Sequence, residues 1–278
     1  MSAPVLNGIR VNMIYSACVT IETPDCKILC DPWFTDGIFD GAWYLYTKDR
    51  DPFSAIGDCN YIYISHIHAD HYDPIFLRKY FEIFGEKTLI IGDFESNYLE
   101  KSIQHDGFKC QVNTKPLKLG QTVVSVFPHE TGSPSDIDSA CLVEYFAEDR
   151  VHRVLNINDC VFDPIFLSNF SKFEQVDILL LSYTGAGPYP QTYFELDDPE
   201  LLVAAKLKKD QFIDQYLKIA EVVPAKVRIP FAGQYLLGGS LSHLNSYRGV
   251  SDSYEIGQID NSAVILNDYE GSIDTVSF

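Results

Sequence analysis

Basic residues are scarce in this sequence. The 21 Lys and Arg residues stand against 39 Asp and Glu, which gives a formal net charge of -18 over 278 residues. A nucleic-acid backbone is bound through clustered Lys and Arg, so this charge argues against a nucleic-acid partner. The one conspicuous basic cluster, Lys206-Leu207-Lys208-Lys209, lies in a helical segment and is interpreted as a solvated helix face. We therefore expect a small-molecule substrate.

Paired cysteines and long apolar runs are also missing. The seven cysteines occur singly and none forms a Cys-x-x-Cys pair, so neither a disulfide framework nor a structural zinc site is expected. No secretory leader precedes Val11, and no apolar run approaches the roughly 20 residues of a transmembrane helix. The sequence predicts a reduced, cytoplasmic protein without a transmembrane segment, and it leaves a homo-oligomer open.

Internal repeats, low-complexity tracts and Ser/Gly-rich linkers are absent as well, so we predict a single domain over residues 1–278. Strand and helix patterns alternate in both halves, which predicts an α/β fold of two sheets packed face to face and covered by helices. The predicted strands are Val11–Tyr15, Cys18–Glu22, Lys27–Cys30, Tyr61–Ile64, Thr88–Ile91, Thr122–Phe127, Ala140–Phe146, Arg153–Ile157, Asp177–Ser182 and Lys226–Ile229, and the predicted helices are Pro74–Phe84, Pro164–Phe173 and Pro199–Val222.

The most informative motif is His66-Ile67-His68-Ala69-Asp70-His71, in which four potential metal ligands follow a predicted strand. Where a strand gives way to a loop, residues i and i+2 can point to the same side, so His66 and His68 can converge on one ion. Asp70 and His71 can then reach a second ion. Imidazole and carboxylate ligands suit one or two divalent transition-metal ions, with zinc expected first and iron or manganese as alternatives.

The motif resembles the H-x-H-x-D-H signature of the metallo-β-lactamase fold. The segments Ser16–Thr23 and Lys27–Trp33 are similar to the opening hairpin of that superfamily, which ends in Asp-Pro. More broadly, the chain resembles the lineage of the L-ascorbate-6-phosphate lactonases and N-acylphosphatidylethanolamine phospholipase D. The resemblance implies an αββα sandwich of two mixed sheets, with a metal cleft built from loops at one edge.

The resemblance also implies a third histidine after one later strand and a bridging aspartate after another. His129 is the candidate histidine, whereas the alternatives His105 and His152 lie among charged neighbours and are expected to be solvated. Asp159 follows a predicted strand and is the candidate bridge between two cations. Asp163, just before Pro164, is better interpreted as the N-cap of the next helix.

One expected ligand is missing. Many relatives place another histidine at the end of a late strand, but the matching stretch here is Pro230-Phe231-Ala232-Gly233. His243 lies a loop further along and is the alternative. The second metal position is therefore the uncertain one, and the number of ions stays open.

A loop rich in glycine and aromatic residues follows the strand that ends at Ser182. Its Gly185 and Gly187 permit close backbone approach, and its Tyr183 and Tyr189 can stack on a ring or sugar, so these four are candidate substrate-binding residues. A rigid turn is the alternative interpretation. His243 and Asn245 are further candidates for substrate binding.

This loop, together with Asn156–Cys160 and Pro230–Gly233, is similar to the metallo-β-lactamase-like portion of CMP-N-acetylneuraminate hydroxylase. Those hydroxylases carry a Rieske centre, which needs two Cys and two His in close pairs. The seven cysteines of this chain offer no such pairing. Rieske-dependent oxygenation is therefore not expected of this chain alone.

The expected function is that of a metal-dependent hydrolase. A metal-activated water would attack a small phosphoryl or acyl/lactone substrate, sugar-like or nucleotide-sugar-like, with Asp70 as the catalytic residue that binds the second ion or orients the nucleophile. A non-haem di-iron oxygenase on the same scaffold is one alternative. A non-catalytic metal-binding or scaffold protein is the other.

Overall fold

The computed structural model describes residues 6–47, 49–131 and 137–277. Its elements run in the order β1 (Arg10–Tyr15), β2 (Cys18–Glu22), β3 (Lys27–Cys30), α1 (Ile38–Gly41), β4 (Trp43–Tyr44), α2 (Pro52–Ile56), β5 (Tyr61–Tyr63), α3 (Pro74–Phe84), β6 (Thr88–Ile91), α4 (Tyr98–His105), β7 (Cys110–Val112), β8 (Leu117–Leu119), β9 (Thr122–Glu130), β10 (Ile137–Phe146), β11 (Val151–Asn158), α5 (Pro164–Ser171), β12 (Val176–Ser182), α6 (Pro199–Val222), β13 (Ala225–Phe231), β14 (Leu236–Leu237), a 3₁₀ helix (Gly239–Tyr247), α7 (Ser253–Ile259) and β15 (Ser272–Asp274).

These strands form two large mixed sheets. The first has the order β15-β1-β2-β3-β5-β6-β7, with parallel pairing from β3 through β7. The second has the order β13-β12-β11-β10-β9-β8, with parallel pairing from β11 through β13. Both sheets thus combine an antiparallel part with a parallel part, and the short pair β14-β4 lies apart from them.

Three apolar layers hold the sheets and helices together. Buried residues of both sheets, among them Val11, Ile28 and Val143, form the central core. The second sheet packs on its other face against α5, α6 and α7, and the first packs on its other face against α3 and α4. Because each sheet buries one face against the other and one against helices, the αββα sandwich predicted from the sequence is confirmed.

Aspartate caps define the starts of the predicted helices. Asp73, Asp163 and Asp198 each precede a proline and accept hydrogen bonds from backbone N–H groups of the first helical turn. The helices Pro74–Phe84 and Pro199–Val222 have the predicted bounds, and Asp163 is the N-cap that the sequence predicted. Helix α5 ends at Ser171, two residues before the predicted Phe173.

The prediction of a solvated His152 is wrong. His152 was expected to be solvated, but it is buried and its Nδ1 atom lies 2.7 Å from Oγ1 of Thr275. The charged neighbours that suggested exposure include Arg150, which itself contacts the ring of His152. His105, at the end of α4, is exposed as predicted. Neither histidine belongs to the cluster described below.

Candidate metal centre

The histidine motif lies in the turn between β5 and α3. The carbonyl of His68 accepts hydrogen bonds from the N–H groups of His71 and Tyr72, which reverses the chain. Asp73 then caps α3 and also accepts hydrogen bonds from the N–H of Phe34 and the hydroxyl of Thr35. Phe34 and Thr35, which follow β3, therefore hold the C-terminal end of the motif in position.

Three side chains converge closely enough to hold a metal ion. One ligand atom from each of His66, His71 and Asp159 lies within 4.8 Å of the other two. Nε2 of His71 is 3.3 Å from Asp159 Oδ2 and 3.5 Å from Asp70 Oδ2, while Nε2 of His66 is 2.8 Å from Nδ1 of His68. Imidazole and carboxylate donors in this arrangement fit a divalent transition metal.

Two carboxylates lie near the Nδ1 atoms of the buried imidazoles, on the side away from the cluster. Nδ1 of His71 lies 3.3 Å from Asp31 Oδ2, and Nδ1 of His66 lies 2.9 Å from the Ser65 hydroxyl and 3.4 Å from Asp138 Oδ1. Metal-binding histidines commonly donate their second N–H to a carboxylate, which fixes the tautomer and the ring plane. In this arrangement Nε2 of His71 faces Asp70 and Asp159, and Nε2 of His66 faces His68.

Asp31 and Asp138 are site residues that the sequence analysis missed. Asp31 is fully buried after β3, where it accepts hydrogen bonds from the N–H of Ser65, at 2.7 Å, and from the amide of Asn158. Asp138 lies on β10, and the adjacent Ser139 donates its hydroxyl to the carbonyl of Ser65. The Asp-Pro ending of the hairpin marked Asp31 as a fold feature only, and no local pattern marked Asp138.

The ionisable groups of the cluster shift the pKa values of one another. Burial lowers the pKa of His66, and the nearby His71 and His68 act in the same direction. Burial would also lower the pKa of His71, but Asp70 and Asp159 overcome it and raise that pKa well above its ordinary value. Burial, reinforced by Asp159, raises the pKa of Asp138. Such perturbed groups in a cleft are typical of functional sites.

His129 contacts a different carboxylate. It lies within β9, rather than after the strand as predicted, because the strand extends to Glu130. Its buried ring packs on Phe166 with centroids 4.4 Å apart, and Nε2 lies 3.4 Å from Asp163 Oδ2 without forming a hydrogen bond. The strand register pairs His129 with Asp138, the carboxylate behind His66. His129 thus borders the cluster while its Nε2 atom stays without a hydrogen-bond partner.

The late stretch Pro230–Gly233, which lacks a histidine, packs elsewhere in the fold. Phe231 is buried in the central core, and Ala232, with a φ of +60°, donates its N–H to the carbonyl of Ser16. His243 is exposed on the 3₁₀ helix. Neither position brings an imidazole into the cluster of His66, His71 and Asp159.

A cavity of about 410 Å³ opens onto the motif. His68, Asp70 and Asp159 contribute its polar end. The remaining lining is mostly apolar and comes from the loops around β4, β12 and β14: Phe39, Ala42, Trp43, Ala186, Gly187, Pro188, Gln191, Thr192, Leu237 and Leu241. Concave apolar surface with a few convergent polar groups is the usual form of a small-molecule site.

Gln191 is a polar lining residue that the sequence analysis did not select. Its side chain is 2% exposed, and Nε2 donates to the carbonyl of Gly187 at 2.8 Å. Its Oε1 atom is buried without a hydrogen-bond partner. Buried polar atoms are normally hydrogen-bonded, so this unpartnered oxygen, in a residue that lines the cavity, is an exception.

Most of the predicted substrate-binding residues lie outside this cavity. Of the six, only Gly187 lines it. A Cβ atom on Gly185 would lie 1.9 Å from the ring of Phe212, so this glycine allows a close contact with α6. Tyr183 is buried beside the outer helices, and Tyr189 packs edge-on against Tyr193. The amide of Asn245 is bonded to both backbone groups of Leu237.

Comparison with known proteins places these residues in context. No family model matches the chain. A Rieske 2Fe-2S iron-sulfur protein of Mycobacterium tuberculosis is 28% identical over 248 residues, which are 85% of this chain and 46% of that protein. The cytidine monophosphate-N-acetylneuraminic acid hydroxylase of Danio rerio is 24% identical over 237 residues, covering 82% of this chain and 38% of that protein. The chain therefore spans less than half the length of these relatives.

Solved structures identify the fold. An isothiocyanate hydrolase from Delia radicum gut bacteria superposes with a TM-score of 0.64 at 13% identity, over 95% of this chain and 98% of that one. The metallo-β-lactamase fold protein YhfI of Bacillus subtilis gives 0.55 at 13% identity, over 96% and 99%. CmlA, a diiron β-hydroxylase from Streptomyces venezuelae, gives 0.61 at 14% identity, over 98% and 55%. The predicted metallo-β-lactamase fold and the resemblance to the hydroxylases are confirmed.

Within the described ranges, no helix has the length and apolar character needed to cross a membrane.

Proposed function

We propose that this chain is a metal-dependent hydrolase acting on a small phosphoryl or acyl/lactone substrate. The observation that carries the proposal is the convergence of His66, His71 and Asp159 within 4.8 Å, with Asp159 also lining the polar end of a cavity. His66, His68, Asp70, His71, His129 and Asp159 would hold one or two divalent ions, with zinc expected first. A divalent ion bound there would supply Lewis acidity and lower the pKa of a water molecule.

The chain's own residues would prepare the site for that ion. Asp31 lies against Nδ1 of His71, and the Ser65 hydroxyl and Asp138 lie against Nδ1 of His66, so Nε2 of both rings faces the cluster. His129, whose Nε2 is buried without a hydrogen bond, would turn from Asp163 toward the ligand set. These carboxylates and imidazoles would be stabilised by a cation that compensates their crowded charges.

Asp70 is the proposed catalytic residue. It lines the cavity, and its carboxylate lies 3.5 Å from Nε2 of His71. Burial would raise the pKa of Asp70, but the charge of His71 outweighs it and lowers the pKa. An ionised carboxylate in this place can accept the proton of an attacking water and hold that water toward the substrate.

The cavity would bind the substrate through one apolar wall and a few polar contacts. Trp43 and Leu237 provide flat apolar surface, and Gln191 offers an unpartnered amide oxygen to a hydroxyl or N–H donor. Gly187, whose backbone has a φ of +97°, lines the same cavity and adds no side chain to it. This lining suits a small organic molecule, and a sugar-like or nucleotide-sugar-like group is the proposed class.

A second candidate is a non-haem di-iron oxygenase built on the same ligands. Its support is specific: the curated relatives carry the names of a Rieske iron-sulfur protein and a hydroxylase, and a diiron hydroxylase shares the fold. Imidazole and carboxylate ligands suit iron as well as zinc. Since the cysteines of this chain occur singly, electrons for such a reaction would come from a separate reductant.

We further propose a cytoplasmic protein, folded as one domain over residues 1–278, that acts on small molecules rather than nucleic acid. The net charge of -18 supports the exclusion of nucleic acid. Homo-oligomer formation is part of the same proposal and is testable by light scattering.

The experiment that separates the two chemistries compares the zinc-loaded and iron-loaded chain. Each preparation is assayed for hydrolysis of p-nitrophenyl acetate, bis(p-nitrophenyl) phosphate and a γ-lactone, and for oxygen uptake in the presence of a chemical reductant. The hydrolase proposal expects turnover of at least one ester, phosphodiester or lactone by the zinc-loaded protein. Oxygen uptake by the iron-loaded protein, with no hydrolysis by either preparation, would replace it with the oxygenase.

A further inference from the structure

A second cavity, of about 520 Å³, is separated by a stack of side chains from the cavity of about 410 Å³ that His68, Asp70 and Asp159 line, hereafter the metal-lined cavity after its candidate metal ligands. The rings of Trp43 and Tyr235 are stacked with centroids 3.5 Å apart and planes 8° apart. The guanidinium carbon of Arg248 lies 4.3 Å from the centroid of Tyr235. Because Trp43 covers one face of Tyr235, Arg248 lies against the other. Trp43 lines the metal-lined cavity, whereas Tyr235 and Arg248 line the second one.

Arg248 is a cation without a carboxylate partner. Its Nη1 donates to the carbonyl of Tyr235 at 2.9 Å and its Nε to the carbonyl of Asn245 at 3.4 Å. Within the described part of the chain, no ion pair includes Arg248. In a protein of net charge -18, an arginine left to backbone carbonyls is available to an incoming anion.

The acidic residues of this cavity have partners of their own. Asp252 caps α7, where its carboxylate accepts the N–H of Glu255. The carboxylate of Glu255 in turn accepts a hydrogen bond from the N–H of Asp252 and forms an ion pair with Lys209. Both carboxylates in the lining therefore have partners in the capping box or in Lys209, and neither is paired with Arg248.

Two buried hydroxyl groups in the same lining are unpartnered. Ser251 is 6% exposed and Tyr235 is 4% exposed, and neither the Oγ atom of Ser251 nor the hydroxyl of Tyr235 makes a hydrogen bond. Leaving a buried hydroxyl without a partner is energetically unfavourable. A ligand with acceptor oxygens would relieve that cost, so the three groups together indicate what the cavity recognises.

We propose that this second cavity binds a small organic anion through Arg248, Ser251 and Tyr235. A carboxylate or phosphate group would accept charge-assisted hydrogen bonds from Arg248 and neutral ones from the two hydroxyls. The rest of the ligand would pack against the aromatic rings of Tyr46, Tyr183 and Tyr254, which line the same cavity. The site is separate from the metal ligands and does not depend on the reaction proposed above.

Calorimetric titration with benzoate and with inorganic phosphate tests this site and distinguishes the two anion classes. We expect saturable binding of at least one probe in the millimolar range or tighter. Arg248→Gln should weaken that binding about tenfold or more, since it removes a charge-assisted contact. Two controls should bind within about twofold of wild type: Lys206→Gln, which removes an exposed cation of α6, and His68→Ala, which alters the metal-lined cavity instead.

Ser251→Ala keeps the test valid if Arg248→Gln perturbs folding. Because the Ser251 hydroxyl has no partner, its removal should leave the free energy of unfolding equal or higher and still weaken binding about threefold or more. Absence of saturable binding of both probes to the wild-type protein would overturn the proposal. So would binding that survives in Arg248→Gln and in Ser251→Ala but is lost in His68→Ala, since the anion would then bind at the metal-lined cavity.

Discussion

The Oδ2 atom of Asp31 lies 3.3 Å from Nδ1 of His71, although 40 positions separate the two residues in the chain. Asp31 is fully buried and also bonded to the N–H of Ser65. One carboxylate thereby fixes both the backbone before the motif and the ring of its last histidine. The ring orientation of His71 depends on Asp31 for this reason.

Asp31→Asn should therefore weaken metal binding without removing a direct ligand. We expect an affinity about 10–100-fold lower, since the amide no longer favours the Nδ1-protonated imidazole. Competition with a chromophoric chelator measures the change. Asp177→Asn is the matched control, because it also removes a buried carboxylate, one that pairs with Arg150 away from the motif. Equal affinities for Asp31→Asn and the wild type would argue against this role.

His68→Ala and Asp70→Asn should each reduce turnover about 100-fold or more and leave the fold intact. Both side chains line the metal-lined cavity rather than the apolar core. Their replacement therefore removes candidate metal ligands and changes the packing of the core little. Turnover on whichever substrate the wild type accepts is measured together with circular dichroism. His105→Ala, which alters an exposed histidine of α4, is the control. Wild-type rates in either variant would contradict the proposed catalytic site.

Asp268 should make stability depend on pH. Burial raises the pKa of Asp268 to about 7 in the folded protein, so the folded state holds a proton that the unfolded state loses. Stability should fall as pH rises from about 4 to about 7 and then level off. Asp268→Asn should remove this loss and add about 2–4 kcal/mol at pH 8 relative to wild type.

Urea denaturation at about pH 5 and about pH 8 measures the Asp268 effect. The gain of the variant should be small at the lower pH and large at the higher one. Asp93→Asn, which changes an exposed carboxyl, should give no such difference. A gain that is equal at the two pH values would mean that ionisation of Asp268 is not its source.

Gly185→Ala tests whether this glycine is required for packing. The added Cβ would lie 1.9 Å from the ring of Phe212, so we expect a loss of about 1–3 kcal/mol in the free energy of unfolding. Gly257→Ala in α7 is the control, because its Cβ would meet Ile265 at an ordinary 3.5 Å and should stabilise the helix slightly. An unchanged unfolding midpoint for Gly185→Ala would disprove the packing role.

The fold was predictable because its signals are local. Capping aspartates and helix-starting prolines define α3 and α6, and the β-branched runs define most strands within a few residues. The motif itself indicated a metal site before any tertiary contact was known. Its family resemblance then supplied the order of layers, which periodicity alone could not.

The outer parts of the site were not predictable in the same way. Asp138 contacts His66 across 72 positions, and Gln191 reaches the metal-lined cavity from the loop after β12. Such contacts arise from strand register and loop packing, which leave no pattern in the neighbouring sequence. The side chain of Asn245 is bonded to the backbone of Leu237, a contact that likewise leaves no local pattern in the sequence.

Metal content of the freshly purified protein tests the central claim most directly. Elemental analysis of protein expressed with zinc and iron supplied should find about one or two ions per chain, and His66→Ala and His71→Ala should each lose most of that metal. His105→Ala should retain it. A wild-type protein that holds no transition metal under these conditions, or variants that keep the full amount, would contradict the account.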